Sequence, residues 1–242
     1  MVKAIVGANW GDEGKGKITD LLAEKSDVVI RFQGGANAGH TIICDYGRFA
    51  LHQLPSGVFY PHTTNIIGPG VALDVDKFIA ELRQVEEGGV PAPHMLVDQR
   101  TQVLMPYHVL QDTYEEERLA GHAFGSTKSG IAPFYSDKYA KNGIQIADLF
   151  DEKRLMDRLE QNCELKNVLW VHLYHKEPLE PKQLFDWLME RREAIKPYLG
   201  DSVAFVHQAL KEGKTVLLEG QLGSMKDPSL GICPFTTSSH TL

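Results

Sequence analysis

Short apolar runs that end at a glycine alternate along this chain with longer segments of helical periodicity. Residues 4–6 and 28–32 have the composition of buried strands, and each run leads into a glycine-rich turn. Residues 77–87 instead place apolar side chains at helical spacing, after two aspartates, Asp74 and Asp76, either of which can cap a helix. Strand, turn and helix repeated in this order are typical of the α/β class. The pattern predicts a mostly parallel central sheet with flanking helices.

The same alternation continues to the end of the sequence. The pattern predicts a hairpin over residues 41–51 and further strands at 65–67, 95–97, 102–105 and 214–219. It predicts further helices at 107–118, from 151 to about 164, at 181–196 and at 201–213. The strand at 214–219 opens into a third glycine turn, at residues 220–224. Residues 1–242 are therefore expected to form a single α/β domain.

Composition and charge narrow the kind of protein. With 25 basic and 32 acidic side chains the formal charge is −7, and no basic block interrupts the acidic balance, so binding to nucleic acid is not expected. The three cysteines are far apart and show no C-x-x-C spacing, which indicates neither a disulfide framework nor a zinc site. No apolar run is long enough to span a bilayer. We expect a cytoplasmic protein with no membrane partner.

The first glycine turn, Gly-Asp-Glu-Gly-Lys-Gly-Lys at residues 11–17, is the most informative stretch of the chain. Its glycines let backbone N–H groups approach an anion and its lysines supply countercharge, so it predicts a phosphate site resembling a P-loop. The match to G-x-x-x-x-G-K-[ST] fails at its last position, because Ile18 follows the lysine and the hydroxyl comes at Thr19. Asp12 and Glu13 add carboxylates that phosphate binding alone would not favour. A carboxylate here indicates a metal ligand or a catalytic base, the alternative being an ordinary tight turn.

The second predicted strand leads into another glycine-rich turn, Gln-Gly-Gly-Ala-Asn-Ala-Gly-His-Thr at residues 33–41. In a parallel sheet the turns at the carboxyl ends of neighbouring strands face one crevice, so Asp12 and His40 are expected to meet over one ligand. A histidine alone is more often a structural group. Here His40 ends a loop that also carries Asn37, which favours a role as an acid or as a donor to the transition state.

Three motifs in this chain resemble those of one enzyme family. The runs Trp-Gly-Asp-Glu-Gly-Lys-Gly-Lys at 10–17, Gln-Gly-Gly-x-Asn-Ala-Gly-His-Thr at 33–41 and Gly-Ser-Thr-x-x-Gly-Ile at 125–131 are similar to those of adenylosuccinate synthetases. The run Thr-Thr-Ser-Ser at 236–239 extends the resemblance towards the end of the chain. Family members are considerably longer, so the sequence resembles their amino-terminal portion, truncated at its carboxyl end. These 242 residues alone are expected not to complete the reaction.

The resemblance implies a GTP-dependent ligase that joins inosine monophosphate (IMP) and L-aspartate into adenylosuccinate, with release of GDP and phosphate, in AMP biosynthesis. It implies Mg²⁺ as a cofactor, bound by Asp12 and the carbonyl of Gly39, and GTP as co-substrate. Asp12 and His40 are the implied catalytic residues, as the base that takes the N1 proton of IMP and as the group that stabilises charge on O6. The implied GTP contacts are Gly11, Asp12, Glu13, Gly14, Lys15, Gly16, Lys17, Gly39, His40 and Thr41. The implied IMP contacts are Asp12, Glu13, Gly14, Lys15, Asn37, Ala38, Gly39, His40, Thr127, Lys141, Gln221 and Thr237.

Two of these positions depart from the family's pattern. The family usually has an arginine where this chain has Lys141, and that arginine reaches into the other subunit of a homodimer to hold the monophosphate. Lysine keeps the charge but loses the planar, two-pronged donor. Much of the family has Ala-Gln-Gly where this chain has Gln221-Leu-Gly, so the glutamine is displaced by one residue. The resemblance otherwise implies a homodimer.

Other functions stay open on the sequence. A regulatory GTPase-like switch is disfavoured by the missing Lys-[ST] step and by the second loop with His40. A related ligase acting on a guanine monophosphate, of the type that some phages use, tends to replace the loop aspartate, whereas this chain retains Asp12. A non-catalytic nucleotide-binding fragment is the third alternative.

Overall fold

The chain alternates strands and helices as an α/β protein does, in a computed structural model that describes residues 1–122 and 125–242. The strands in these ranges are β1 (Val2–Gly7), β2 (Val28–Arg31), β3 (His40–Cys44), β4 (Gly47–Leu51), β5 (Thr64–Ile67), β6 (Ala72–Leu73), β7 (His94–Asp98), β8 (Gln102–Val103), β9 (Leu199–Gly200) and β10 (Val216–Gly223). The α-helices are α1 (Lys15–Ala23), α2 (Val75–Glu87), α3 (Pro106–Leu119), α4 (Ile131–Ala140), α5 (Glu152–His172), α6 (Pro181–Ile195) and α7 (Ser202–Lys211).

A six-stranded parallel sheet in the described residues confirms the predicted fold class. Its spatial order is β1-β10-β2-β5-β7-β9, so the late strand β10 inserts between the two earliest long strands. β2 is buried on both faces: Val28 packs with Ala209 of α7, and Val29 packs with Ala23 of α1. A parallel sheet covered on both faces requires such continuous apolar strands. The insertion of β10 makes the three strands that carry the predicted glycine turns direct neighbours.

The largest apolar core lies beside the sheet, among α2, α5, α6 and the β3–β4 hairpin. Asp74 caps α2 by accepting the backbone N–H of Lys77 at 3.0 Å, which confirms one of the two predicted caps. The predicted end of α5 near residue 164 is wrong, because the helix continues to His172 and keeps Lys166 and Trp170 buried. Within residues 1–122 and 125–242, no helix has the length and apolarity needed to cross a membrane.

The predicted third glycine turn is also wrong, because β10 continues as a strand to Gly223. Its glycines allow close packing of neighbouring backbones. A Cβ on Gly220 would lie 2.8 Å from the carbonyl oxygen of Ile5, and one on Gly223 would lie 2.1 Å from that of Asn9. The strand predicted at 102–105 is shorter than expected and comprises Gln102–Val103.

Candidate functional site

Three chain segments meet at the carboxyl edge of the sheet. The first turn, between β1 and α1, packs on the end of β10, where a Cβ on Gly11 would lie 2.5 Å from Cα of Leu222. The second turn, after β2, packs on the same strand from the other side, where a Cβ on Gly34 would lie 1.7 Å from Oε1 of Gln221. β10 is therefore the shared support of both glycine turns.

Hydrogen bonds within the first turn hold its backbone in place. Gly11 and Gly14 adopt φ of 103° and 87°, which strongly favours glycine. Nζ of Lys15 donates to the carbonyl of Gly11 at 3.0 Å, and the backbone N–H of Asn9 donates to Oε1 of Glu13 at 2.6 Å. Burial lowers the pKa of Lys15, and the charge of Glu13 at 3.9 Å opposes that shift. The lysine thus folds back over its own turn.

Asp12 lies at the exposed rim of this turn. Burial lowers the pKa of Lys15, and the negative charge of Asp12 opposes that shift, so the two side chains interact electrostatically. Lys17, in the first turn of α1, is exposed as well. Both side chains are accessible to a ligand that enters from solvent.

His40 begins β3 and is tied to a buried glutamate that sequence reasoning missed. Nε2 of His40 lies 3.1 Å from Oγ of Ser56 and 3.8 Å from Oε1 of Glu219. The Ser56 hydroxyl donates its one hydrogen to Glu219 at 2.8 Å, so its oxygen can only accept from His40. The hydrogen bond therefore requires a proton on Nε2, which leaves Nδ1 of the neutral ring as an acceptor. Burial lowers the pKa of His40, against the attraction of Glu219.

The first turn of α1 lies directly against His40. A Cβ on Gly16 would lie 2.8 Å from Cβ and 3.1 Å from Cδ2 of the histidine, so only glycine fits there without displacement. The structure thereby brings the second turn to the amino end of the helix that follows the first turn. The two turns are therefore adjacent, as the parallel arrangement predicts, while a meeting of Asp12 with His40 over one ligand stays a prediction.

The second turn is anchored by buried polar groups. The guanidinium of Arg31 is 2% exposed and donates to the carbonyls of Gly35 at 3.3 Å and Leu54 at 3.4 Å. The backbone N–H of Gly34 donates to the Tyr135 hydroxyl at 3.0 Å. Oδ1 of Asn37 is buried and has no hydrogen-bond partner among the described residues. A buried acceptor of this kind is a reason to expect a ligand donor there.

The carboxamide of Gln221, a predicted IMP contact, is turned towards the second turn. It bonds to the backbone of Gly35 and Ala38. Gly39 follows these residues, and a Cβ on it would lie 2.5 Å from Nε2 of His52. Thr41 is exposed on β3.

The remaining predicted IMP contacts lie on segments around α4. Thr237 lines a cavity of about 450 Å³ between α4 and residues 228–240. Thr127 is exposed on the loop before α4, and Lys141 is exposed where that helix ends, with φ of 69°. Asp112 fastens the loop, since it accepts from the Ser126 hydroxyl at 2.7 Å and from a backbone N–H at 2.8 Å.

A buried ionic cluster joins α3, α4 and α5 behind this loop. Asp137 lies 2.9 Å from Nε2 of His108 and 2.8 Å from Nζ of Lys166. The backbone N–H of Met105 donates to Nδ1 of His108 at 3.0 Å, which leaves no room for a proton on that nitrogen. Burial therefore lowers the pKa of His108 to about 4, although Asp137 acts to raise it.

Acid should destabilise the protein through His108. Because its pKa is lower in the folded than in the unfolded chain, the stabilisation is complete above the ordinary value of 6.5 and declines as the pH falls towards about 4. The expected loss between about pH 7 and pH 5 is about 2 kcal/mol of unfolding free energy. Urea unfolding at both pH values should show this loss in the wild type and a smaller one in His108→Gln. Equal losses in both proteins would contradict the assignment.

The donor chemistry at the carboxyl edge suits a hard divalent cation. The Asp12 carboxylate and the Gly39 carbonyl are oxygen donors, which Mg²⁺ prefers. Among the residues that the structure describes, no group of three or more His, Cys, Asp or Glu side chains is arranged to hold a metal. A metal at Asp12 and Gly39 would thus need ligands from its substrates or from water.

Fold and site together define an α/β protein with glycine-rich turns at the carboxyl edge of a parallel sheet, the class of site at which such proteins bind phosphorylated ligands. A model of the adenylosuccinate synthetase family matches residues 4–242. The chain belongs to the adenylosuccinate synthetase family.

Individual relatives agree with this assignment. The chain is 45% identical over 238 residues to adenylosuccinate synthetase from Heliobacterium modesticaldum, covering 98% of this chain and 56% of the relative. It is 45% identical over 240 residues to that of Thermomicrobium roseum, with 98% and 56% covered. A fully ligated adenylosuccinate synthetase from Plasmodium falciparum matches with a TM-score of 0.86 and 32% identity, over 99% of this chain and 55% of that one.

A more distant structure shares the fold alone. Cyanophage S-2L succinoaminodeoxyadenylate synthetase, bound to dGMP and dATP, matches with a TM-score of 0.64 at 20% identity, over 99% of this chain and 56% of that one. The chain spans about half the length of the curated relatives and solved structures that it matches.

Proposed function

We propose that this chain carries the IMP site and the phosphoryl-transfer chemistry of a GTP-dependent ligase that joins IMP to L-aspartate. The products are adenylosuccinate, GDP and phosphate, in AMP biosynthesis. The observation that carries the proposal is the contact of Gly16 with His40, since it puts an imidazole beside the amino end of a helix that follows a glycine turn. In this proposal residues 1–242 act as one nucleotide-binding catalytic domain.

The chemistry begins at the purine ring. The O6 atom of hypoxanthine is a poor leaving group for attack by an amine, so it must first be phosphorylated. Asp12, at the exposed rim of the first turn, takes the proton from N1 while O6 attacks the γ-phosphorus of GTP and GDP leaves. The amine of aspartate then attacks C6 and releases phosphate.

His40 stabilises the charge that develops on O6. Its Nε2 is committed to Ser56, so Nδ1 is the nitrogen left for the ligand, and a proton there makes it a donor. An imidazolium at this position is balanced by Glu219 at 3.8 Å. The same donor assists departure of phosphate in the second step.

The phosphates of GTP lie over the first turn in this proposal. Lys15 exchanges its bond to the Gly11 carbonyl for a phosphate oxygen, and Lys17 and the turn's N–H groups add further positive potential. Mg²⁺, held by the Asp12 carboxylate and the Gly39 carbonyl, supplies charge neutralisation at the phosphates when bound. The full set of proposed GTP contacts is Gly11, Asp12, Glu13, Gly14, Lys15, Gly16, Lys17, Gly39, His40 and Thr41.

IMP spans the second turn and the segments around α4. Asn37 offers its buried Oδ1 atom, and the loop with Thr127 and the cavity beside Thr237 receive the monophosphate through hydroxyl and backbone donors. Lys141 supplies a cation from the other subunit of a homodimer.

We place this enzyme in the cytoplasm.

Phosphate release with different monophosphates tests the proposal. The natural full-length protein is incubated with GTP, Mg²⁺ and either IMP or dGMP, with and without aspartate. We expect release that requires both IMP and aspartate. Release with dGMP in place of IMP would indicate a ligase for guanine monophosphates, and release without any monophosphate would indicate a GTPase.

Replacing Lys141 with alanine should weaken IMP binding and leave GTP binding unchanged. Loss of a charged hydrogen bond to the monophosphate corresponds to an affinity about tenfold lower or more. Calorimetric titration measures both ligands, and Lys211→Ala, at an exposed lysine of α7, serves as the control. In the wild type, equal IMP affinity well below and well above the dimerisation constant would contradict a contact across subunits.

A further inference from the structure

We infer that Gln221 is a positioning residue, whose side chain holds the second turn in the conformation that presents Asn37 and His40 to a ligand. It acts through the backbone of that turn and does not contact the ligand itself. The identity of the ligand as IMP rests on the proposed function. The positioning role rests on the geometry alone.

Both N–H groups and the oxygen of the Gln221 carboxamide form hydrogen bonds within the protein. Oε1 accepts the backbone N–H of Gly35 at 2.7 Å, and Nε2 donates to the carbonyls of Gly35 at 2.7 Å and Ala38 at 2.9 Å. The residue is only 5% exposed. A primary amide has two N–H hydrogens, so neither is left to read a purine base.

These three bonds fasten the turn on both sides of Asn37. Residues 35–38 belong to no strand or helix, because the turn leaves the sheet after β2 and rejoins a strand only at β3. Besides the Gln221 carboxamide, the Arg31 guanidinium also donates to the carbonyl of Gly35, at 3.3 Å. The carboxamide supplies the pairing that a neighbouring strand would otherwise give. With Gly35 and Ala38 fixed, the direction in which Asn37 leaves the backbone is fixed as well, and the turn enters β3 at His40, which pairs with Leu51.

A second glutamine makes the contact reciprocal. Nε2 of Gln33 donates to the backbone carbonyl of Gln221 at 2.8 Å, and its Oε1 accepts from the Ser239 hydroxyl at 3.2 Å. The side chain of each glutamine thus bonds to the other's backbone segment. Gln33, Gln221 and Ser239 are all buried.

The adjacent glycine is fitted to this arrangement. Gly34 has φ of 81°, and a Cβ on it would lie 1.7 Å from Oε1 and 2.8 Å from Cδ of Gln221. A side chain at position 34 would displace the carboxamide from its three partners. A substitution at Gly34 should therefore loosen the turn, as loss of the carboxamide should.

The test compares Gln221→Met with the wild type by amide hydrogen exchange without nucleotide, and by IMP titration. Methionine keeps nearly the same length but offers no strong donor or acceptor. We expect exchange at residues 35–40 to be about tenfold faster or more, with exchange in β5 unchanged. IMP affinity should fall about tenfold, since the turn must be ordered on binding. Gln84→Met, at an exposed glutamine of α2, should change neither.

Two further variants test the inference even if Gln221→Met fails to fold. Gln221→Asn keeps the amide but is too short to reach its partners, and Gly34→Ala displaces it. Each should loosen the turn at least as much as Gln221→Met does, and Gly34→Ala also strains the backbone, because φ at this position is 81°. Unchanged exchange in the turn, or faster exchange spread equally over β5, would overturn the inference. Absence of IMP binding in the wild type would count against the proposed function, while exchange would still decide the role of Gln221.

Discussion

Replacing Asp12 with asparagine should abolish most turnover while leaving GTP binding largely intact. Asparagine keeps the shape of the side chain but cannot accept the N1 proton of IMP. Loss of a positioned base costs about 10²- to 10⁴-fold in rate. The side chain is exposed, so the exchange should not disturb packing. Steady-state adenylosuccinate formation by the natural full-length protein measures the first effect, and titration with a non-hydrolysable GTP analogue measures the second.

Asp45→Asn is the matched control for that experiment. Asp45 is likewise exposed, in the tip of the β3–β4 hairpin, and should retain normal activity. An Asp12→Asn protein with more than about half of the wild-type rate would rule out Asp12 as the base, because removal of a base cannot leave the rate nearly unchanged.

Replacing His40 with asparagine should slow the phosphoryl-transfer step itself. The amide can donate a hydrogen bond but cannot become cationic as charge develops on O6. Loss of one such preorganised donor costs about 10²- to 10³-fold. Scrambling of oxygen label within GTP, followed with IMP present and aspartate absent, reports this step separately from attack by the amine. We expect scrambling to be slowed by that factor.

His94→Asn is the control for the histidine experiment, since His94 is exposed at the start of β7 and distant in sequence from both turns. It should scramble label at the wild-type rate. Normal scrambling in His40→Asn would place the action of His40 outside phosphoryl transfer. Normal scrambling combined with slow adenylosuccinate formation would assign the histidine to the second step.

The sequence was sufficient to predict helices, strands and turns whose residues carry a local pattern, such as apolar periodicity, a cap or turn residues. The helix at α2 follows from apolar spacing together with Asp74, whose side chain caps it. The hairpin β3–β4 follows from turn residues between two β-rich runs. The two glycine turns were recognisable because a position that neighbouring atoms approach closely admits only glycine. Gly16, which packs against the side chain of His40, is an example.

Contacts between residues distant in the sequence determined where two elements end. Residues 165–172 extend α5 because Trp170 packs into the core, and β10 extends to residue 223 because Gly223 pairs with Gly7 of β1. Each extension depends on a partner that is distant along the chain. Hydrophobic period and turn chemistry report only on neighbouring residues, so both ends were placed too early.

The same limit applies to the site. The sequence predicts that the first turn and the second turn carry the residues for phosphate and proton chemistry, because glycine, lysine, carboxylate and imidazole at that spacing have few structural uses. The sequence did not indicate that Glu219 would lie 3.8 Å from His40. Nor did it indicate that the Gln221 side chain would bond to the backbone of the second turn. Gln33 and Gln221 lie 188 residues apart and meet only because β10 inserts between β1 and β2. Strand order of this kind is set by the packing of the whole sheet, and no local run of residues encodes it.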